Sequence, residues 1–148
     1  MKYLYLVLLA MSPTAIGASP QVVESQSLSF GTLIAGANAG AATVYANGGR
    51  GCSGGTVCLD KAVGNPASFS VSGDPYTTYI ITLPDQITLT DSANRTITVD
   101  SFSDDLNGSI TLGGSGTASV NVGATLHIEA GQTTGNYSGN FSILVEHQ

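Results

Sequence analysis

Two cysteines, two histidines and one acidic stretch are the residues of this chain whose types and spacing could do chemistry. Cys52 and Cys58 stand in Gly51-Cys-Ser-Gly-Gly-Thr-Val-Cys58, and a lone pair of cysteines in an exported chain reads as one disulfide. A metal site is the alternative, but two Cys without a neighbouring His fall short of the four ligands that zinc takes. The spacing is not that of a C-x-x-C redox pair. A bridge closing so short a loop stabilises by only about 2 kcal/mol in the chain-entropy model, so its expected role is to pin a glycine-rich hairpin. The same stretch carries two catalytic strings. Gly49-Arg-Gly51-Cys-Ser-Gly54 matches a dinucleotide fingerprint, and Gly51-Cys-Ser53-Gly-Gly55 matches a nucleophile elbow. Both need a helix immediately afterwards, whose first amides bind pyrophosphate or form an oxyanion hole. Thr56-Val-Cys-Leu59 follows instead, a strand pattern, so the stretch reads as a glycine-rich loop.

Nucleophilic catalysis by serine would need a base, and only His127 and His147 are present. His147 is penultimate and is expected to fray. His127 shares the solvent face of its strand with Thr125 and Glu129 and reads as an exposed surface histidine. The acidic segment offers Ser103, Asp105, Asn107 and Gly108 at the first, third, fifth and sixth places of a calcium loop. Its twelfth place is Gly114, where a bidentate Glu is required, so the segment reads as a solvated loop. N-x-S/T triplets at Asn94, Asn107, Asn136 and Asn140 matter only in a eukaryotic secretory route. Without Trp, Tyr45 and Tyr76 are left as aromatic platforms, while Tyr79 and Tyr137 read as core. No base, nucleophile and orienting group can be assembled from these residues, so the chain is expected to be non-enzymatic, with no cofactor and no metal.

The elements that must carry these residues are strands. From residue 20 onward the apolar pattern repeats with a period of two, and no window carries a helical stripe. Ala67-Ser-Phe69-Ser-Val71 alternates strictly with serine, as a strand does with one face in the core. Tyr79, Ile81 and Leu83 form the inward face of the next strand, after a reversal at Gly73-Asp74-Pro75. Further strands begin at Thr96, Ala118 and Ala124. Gly123, where the alternation is read as flipping, predicts a bulge or bend. Residues 137–145 read as one closing strand with Tyr137, Phe141, Ile143 and Val145 on its core face, and Leu28 and Phe30 begin a strand that Gly31 interrupts. Eight to ten short strands without helices to cover a parallel sheet predict an all-β, antiparallel sandwich, with an up-and-down barrel as the alternative architecture.

Composition agrees. Of 148 residues only 14 are charged, 4 basic and 10 acidic, about 9% against the roughly 25% of an average domain, and 33 Ser plus Thr supply the surface polarity instead. A sequence pI near 4.4 leaves no basic footprint for nucleic acid. Lys2, the apolar run from Tyr3 to Met11 and the small residues that end at Ala18 have the layout of a secretory signal peptide. The run is too short to span a bilayer. This predicts a leader over residues 1–18, a single domain over 19–148 in the periplasm or at the cell surface, and no membrane insertion after cleavage.

Three blocks carry a resemblance: Leu28-Ser-Phe30-Gly31-Thr-Leu-Ile-Ala-Gly36; Gly64-Asn-Pro66-Ala-Ser-Phe69-Ser-Val71-Ser-Gly73 with Tyr79-Ile-Ile-Thr-Leu83-Pro84; and Gly135-Asn-Tyr137-Ser-Gly139-Asn-Phe141-Ser-Ile143-Leu-Val145. Together they resemble a large family of exported bacterial domains of unknown function. The closing strand is also similar to spore coat protein U and to the pilins of archaic chaperone-usher systems. That resemblance implies an immunoglobulin-like sandwich and assembly by donor-strand exchange, with identical or related subunits and a periplasmic chaperone and usher as partners. It makes Val22, Leu28 and Phe30 the candidate donor residues, and Tyr137, Phe141, Ile143 and Val145 the candidate groove strand. The alternative is a self-complete binding module, adhesin-like or lectin-like, in which the segment from Ala18 to Leu28 closes its own sheet and ligand is bound near Tyr45, Tyr76 or the loop from Asp100 to Gly108.

Overall fold

The computed structural model describes residues 19–59 and 64–148, together with the backbone of Leu4–Leu6. The expected leader otherwise lies outside the described residues. Among the described residues there is no helix. The strands are β1 (Leu4–Leu6), β2 (Gln21–Gln26), β3 (Leu33–Ile34), β4 (Gly40–Val44), β5 (Arg50–Gly54), β6 (Val57–Cys58), β7 (Ala67–Ser72), β8 (Thr78–Thr82), β9 (Gln86–Thr90), β10 (Thr96–Asp104), β11 (Ser109–Thr111), β12 (Thr117–Ile128), β13 (Gly139–Phe141) and β14 (Leu144–His147). The fold is an all-β sandwich, as the alternation predicts.

Its spine is β12. One edge of β12 pairs with β10; the other pairs first with β7 through residues 117–122 and then with β4 through residues 124–128. β2 adds to β7, β5 to β4 and β9 to β10, all antiparallel. A second sheet, β11-β8-β14, supplies Tyr79, Ile81, Ile110 and Val145 to the other side of the core. Strict alternation is what builds this core: Ala67, Phe69 and Val71 on β7 lie on the same face of the sheet as Val120, Val122, Ala124, Leu126 and Ile128 on β12, and all of them are buried. On the outer face, hydroxyl and amide pairs join neighbouring strands. Thr43 bonds Thr125 across β4 and β12 at 2.9 Å, and Ser68 donates to Asn121 at 2.6 Å.

Four local expectations are corrected. The alternation on β12 does not flip at Gly123; buried residues occupy even positions from Val120 to Ile128. Gly123 instead marks where β12 exchanges β7 for β4, and the bulge falls on the partner strand, between Asp100 and Ser103, where Ser101 takes φ 53°. The closing segment is not one strand: β13 and β14 join different neighbours, with the break at Ser142 and Ile143. Tyr137, Phe141, Ile143 and Val145 are nevertheless all buried. Leu28 and Phe30 are core, but only the Ser29–Asn65 bridge is paired there. His147 is not frayed: it pairs with Tyr79 in β14, and their rings meet edge-on with centroids 5.6 Å apart.

Candidate functional site

The residues first singled out for chemistry are brought into clusters, but not into a catalytic one. His127 Nε2 and Asp100 Oδ1 are 2.7 Å apart across β12 and β10. Ser101 Oγ donates to the same Asp100 oxygen at 3.0 Å. The carboxylate therefore sits between serine and histidine, whereas an acyl-transfer triad needs the histidine between serine and carboxylate. The His127 bond, more than that from Ser101, holds the Asp100 carboxyl below its ordinary value. In the adjoining loop, Asp104 accepts from the amides of Leu106 and Gly108 at 2.8 and 3.0 Å. Asp105 accepts from Asn121 through both its backbone and its side-chain N–H, each at 2.9 Å. These carboxylates hold backbone turns, and no cluster of three metal-ligating side chains occurs among the described residues.

The cysteines form the disulfide, with Cα atoms 5.7 Å apart, joining β5 to β6. A disulfide belongs to an oxidising compartment, which agrees with export. The string around it lies on β5 and β6 rather than before a helix. Arg50, at the start of β5, ties this ribbon to the N-terminal core segment by donating to the Phe30 carbonyl at 2.8 Å, and it also donates to the Leu59 carbonyl just after β6 at 2.7 Å. Val22, the candidate donor on β2, is buried against β7 of the same chain, and Leu28 and Phe30 are buried beyond it.

The closing segment carries a different arrangement. Ser138 exchanges both backbone hydrogen bonds with Thr90, each 2.9 Å. Because antiparallel hydrogen bonding alternates from residue to residue, the peptide groups of Gly139 and Phe141 point to the opposite edge. There β1 lies parallel to β13, with Leu4, Tyr5 and Leu6 opposite Gly139, Asn140 and Phe141. Two hollows flank that short pairing along the same segment. On one side a cleft of about 520 Å³ opens between residues 31–35 and residues 132–137. It is walled at Tyr137, whose buried hydroxyl donates to the Thr133 carbonyl at 2.8 Å and accepts from Gln132 at 3.1 Å. On the other side an apolar hollow of about 290 Å³ lies between Thr82, Leu83 and Pro84 of one segment and Ser142, Ile143 and Leu144 of the other. Cleft, β1 pairing and hollow thus follow one another along residues 132–144. The closing segment is legible in the sequence through its odd, buried residues; the cleft is not, because its hydroxyl, amide and aliphatic lining has no motif.

A family model described as Domain of unknown function (DUF4402) matches residues 21–147. The chain belongs to this family. Neither the curated proteins nor the solved structures gave a match. The DUF4402 region begins at the first residue of β2 and includes β13, so it contains the edge at Gly139 and Phe141 but not the segment Leu4–Leu6 that lies against it.

Proposed function

We propose that this DUF4402 domain is an exported, non-enzymatic structural subunit of a bacterial surface appendage or coat, pilin-like, that joins its neighbours by β-strand complementation. The observation that carries the reading is the pairing of Leu4–Leu6 with β13: an edge inside the domain takes up a strand from outside it. Main-chain bonding along such an edge supplies affinity, and hollows for alternate side chains supply selectivity. The cleft and the apolar hollow on either side of β13 suit that role. Cleavage of the leader at Ala18 would remove β1 and leave the edge for a neighbouring subunit or a periplasmic chaperone. Val22, Leu28 and Phe30 would act as donors only if β2, an edge strand, and the Leu28–Phe30 segment after it part from β7 and from Asn65 and rejoin on a neighbour, as in a domain swap.

A second reading, a self-complete binding module, is favoured by the pairing of β2 with β7 within the chain. The mass of the exported chain, purified without its leader and measured by light scattering from micromolar to millimolar concentration, separates the two. Complementation predicts mass that grows with concentration. A monomer throughout the range overturns it in favour of the self-complete module.

A further inference from the structure

Tyr76 combines two costly features. It is 80% exposed, the most exposed of the large apolar side chains in the described residues. Its backbone takes φ 60°, the left-handed region, where an aromatic residue is an outlier and glycine or asparagine would be at ease. Among the described residues the other non-glycine residues at positive φ are Asn94, Ser101 and Asn107, all smaller and more polar than tyrosine, and asparagine visits this region most readily after glycine. The strain is fixed from below by two interlocked turns. Tyr76 N donates to the Leu112 carbonyl at 3.0 Å, Leu112 N to the Thr77 carbonyl at 2.9 Å, and Gly73 N to the Gly116 carbonyl at 2.9 Å. The hydroxyl end of Tyr76 reaches over Gly114, where an added Cβ would come within 2.6 Å of it. Strain that surrounding structure over-determines, at an exposed aromatic, is a reason to look for a ligand.

The surroundings give the ligand's chemistry. Asp74, two residues away, uses its backbone N–H on the Tyr79 hydroxyl at 3.2 Å. Its carboxylate makes no hydrogen bond or ion pair among the described residues. Exposed hydroxyls paired as Thr78 with Thr111 and Ser115 with Thr117 border the two turns, and residues 73–78 and 111–117 contain no Lys, Arg or His. A sugar ring offers polarised C–H groups to the negative face of an aromatic ring and hydroxyl donors to a carboxylate. The absence of a cation disfavours acidic sugars, and one ring without a surrounding cage is a weak seat for a cationic ligand. We infer that Tyr76 and Asp74 form a binding site for a neutral saccharide, with Tyr76 as the stacking platform and Asp74 as the acceptor of sugar hydroxyls. The site lies before the start of β8, whereas the apolar hollow beside Ile143 lies after its end. Tyr76 and Asp74 line neither of the hollows beside β13, so binding here is tested separately from strand complementation.

The test is calorimetric titration of the exported chain with maltohexaose, cellohexaose, chitohexaose and mannohexaose, with polylysine as the cationic comparison. Saturable binding of at least one hexasaccharide is expected, weakened about tenfold or more in Tyr76→Gly and by a smaller factor in Asp74→Asn. Tyr76→Gly relieves the backbone strain, so its melting temperature should equal or exceed that of the parent, which separates loss of the platform from loss of the fold. No saturable response to any of the four sugars overturns the site. Undiminished sugar binding by Tyr76→Gly, or binding of polylysine alone, overturns it as well.

Discussion

Asp91 is the residue on which the β9–β10 turn depends, and no motif in the sequence marks it. Its carboxylate is buried, accepts from the amides of Ala93 and Arg95 at 2.9 Å each, and takes the Arg95 Nε–H at 2.7 Å. The Arg95 side-chain bond, opposed by burial and aided by the two amides, holds the Asp91 carboxyl below its ordinary value of 3.8. A carboxyl lowered in the folded state contributes stability at pH values above its unfolded value and loses that contribution as pH falls through the folded one. Asp91→Ala should therefore lower the urea midpoint at pH 7, and the gap between variant and parent should narrow progressively below about pH 4; denaturation curves at pH 7, 4 and 3 check this. A gap of constant size across that range would mean that the ionised carboxylate is not what holds the turn. His127→Ala is the contrast, because its pairing with Asp100 is half exposed and such pairs are worth about 1 kcal/mol or less. The signal that could have pointed to Asp91 is faint: an Asp four residues before an Arg in a turn between two alternating runs. Histidines attract notice in a sequence because they are few, yet here both are surface residues of the sheets.

At the scale of the element, alternation made most strands legible and left their partners hidden. The serine-spaced run on β7, the alternation through Tyr79 and Ile81 on β8 and the odd residues 137–145 declared which side chains are buried, because burial of one face is what a period of two records. Alternation says nothing about which edge meets which, so the passage of β12 from β7 to β4 and the division of the last segment between β13 and β14 were not readable. Gly123 shows the physical reason for that passage. A Cβ there would fall 2.1 Å from the Val44 carbonyl oxygen and 2.7 Å from the Ala46 amide nitrogen, both backbone atoms of the chain leaving β4, so only glycine lets that chain come in beside β12. Gly123→Ala should destabilise by about 1–3 kcal/mol, the range of overpacked sites, measured from the urea midpoint. Gly113→Ala, with nothing within 4 Å of its added Cβ, should stay within about 0.5 kcal/mol.

The scarcity of charge is a property of the whole molecule, and the topology tells where it matters. Natural sheets guard free edges with lysine, proline or inward charges. Here the chain has two lysines, Lys2 and Lys61, and no strand residue among the described ones is a lysine. The edge of β13 carries Gly139, Asn140 and Phe141, with Ser142 beyond it, and no charge among them. If that edge is the joint between subunits, charging it should stop assembly without harm to the fold. Asn140 and Ser142 are exposed and point away from the core face that Phe141 and Ile143 occupy, so lysine fits at both. The double variant Asn140→Lys with Ser142→Lys should remain a monomer at concentrations where the parent assembles, with its melting temperature unchanged. Asn47→Lys with Ser92→Lys supplies the matched comparison, since both sites are exposed turn residues and the net charge changes by the same amount. That pair should assemble like the parent. Equal suppression by the two pairs would assign the effect to net charge rather than to the β13 edge, because long-range repulsion acts on the molecule as a whole while a guarded edge acts only where strands meet.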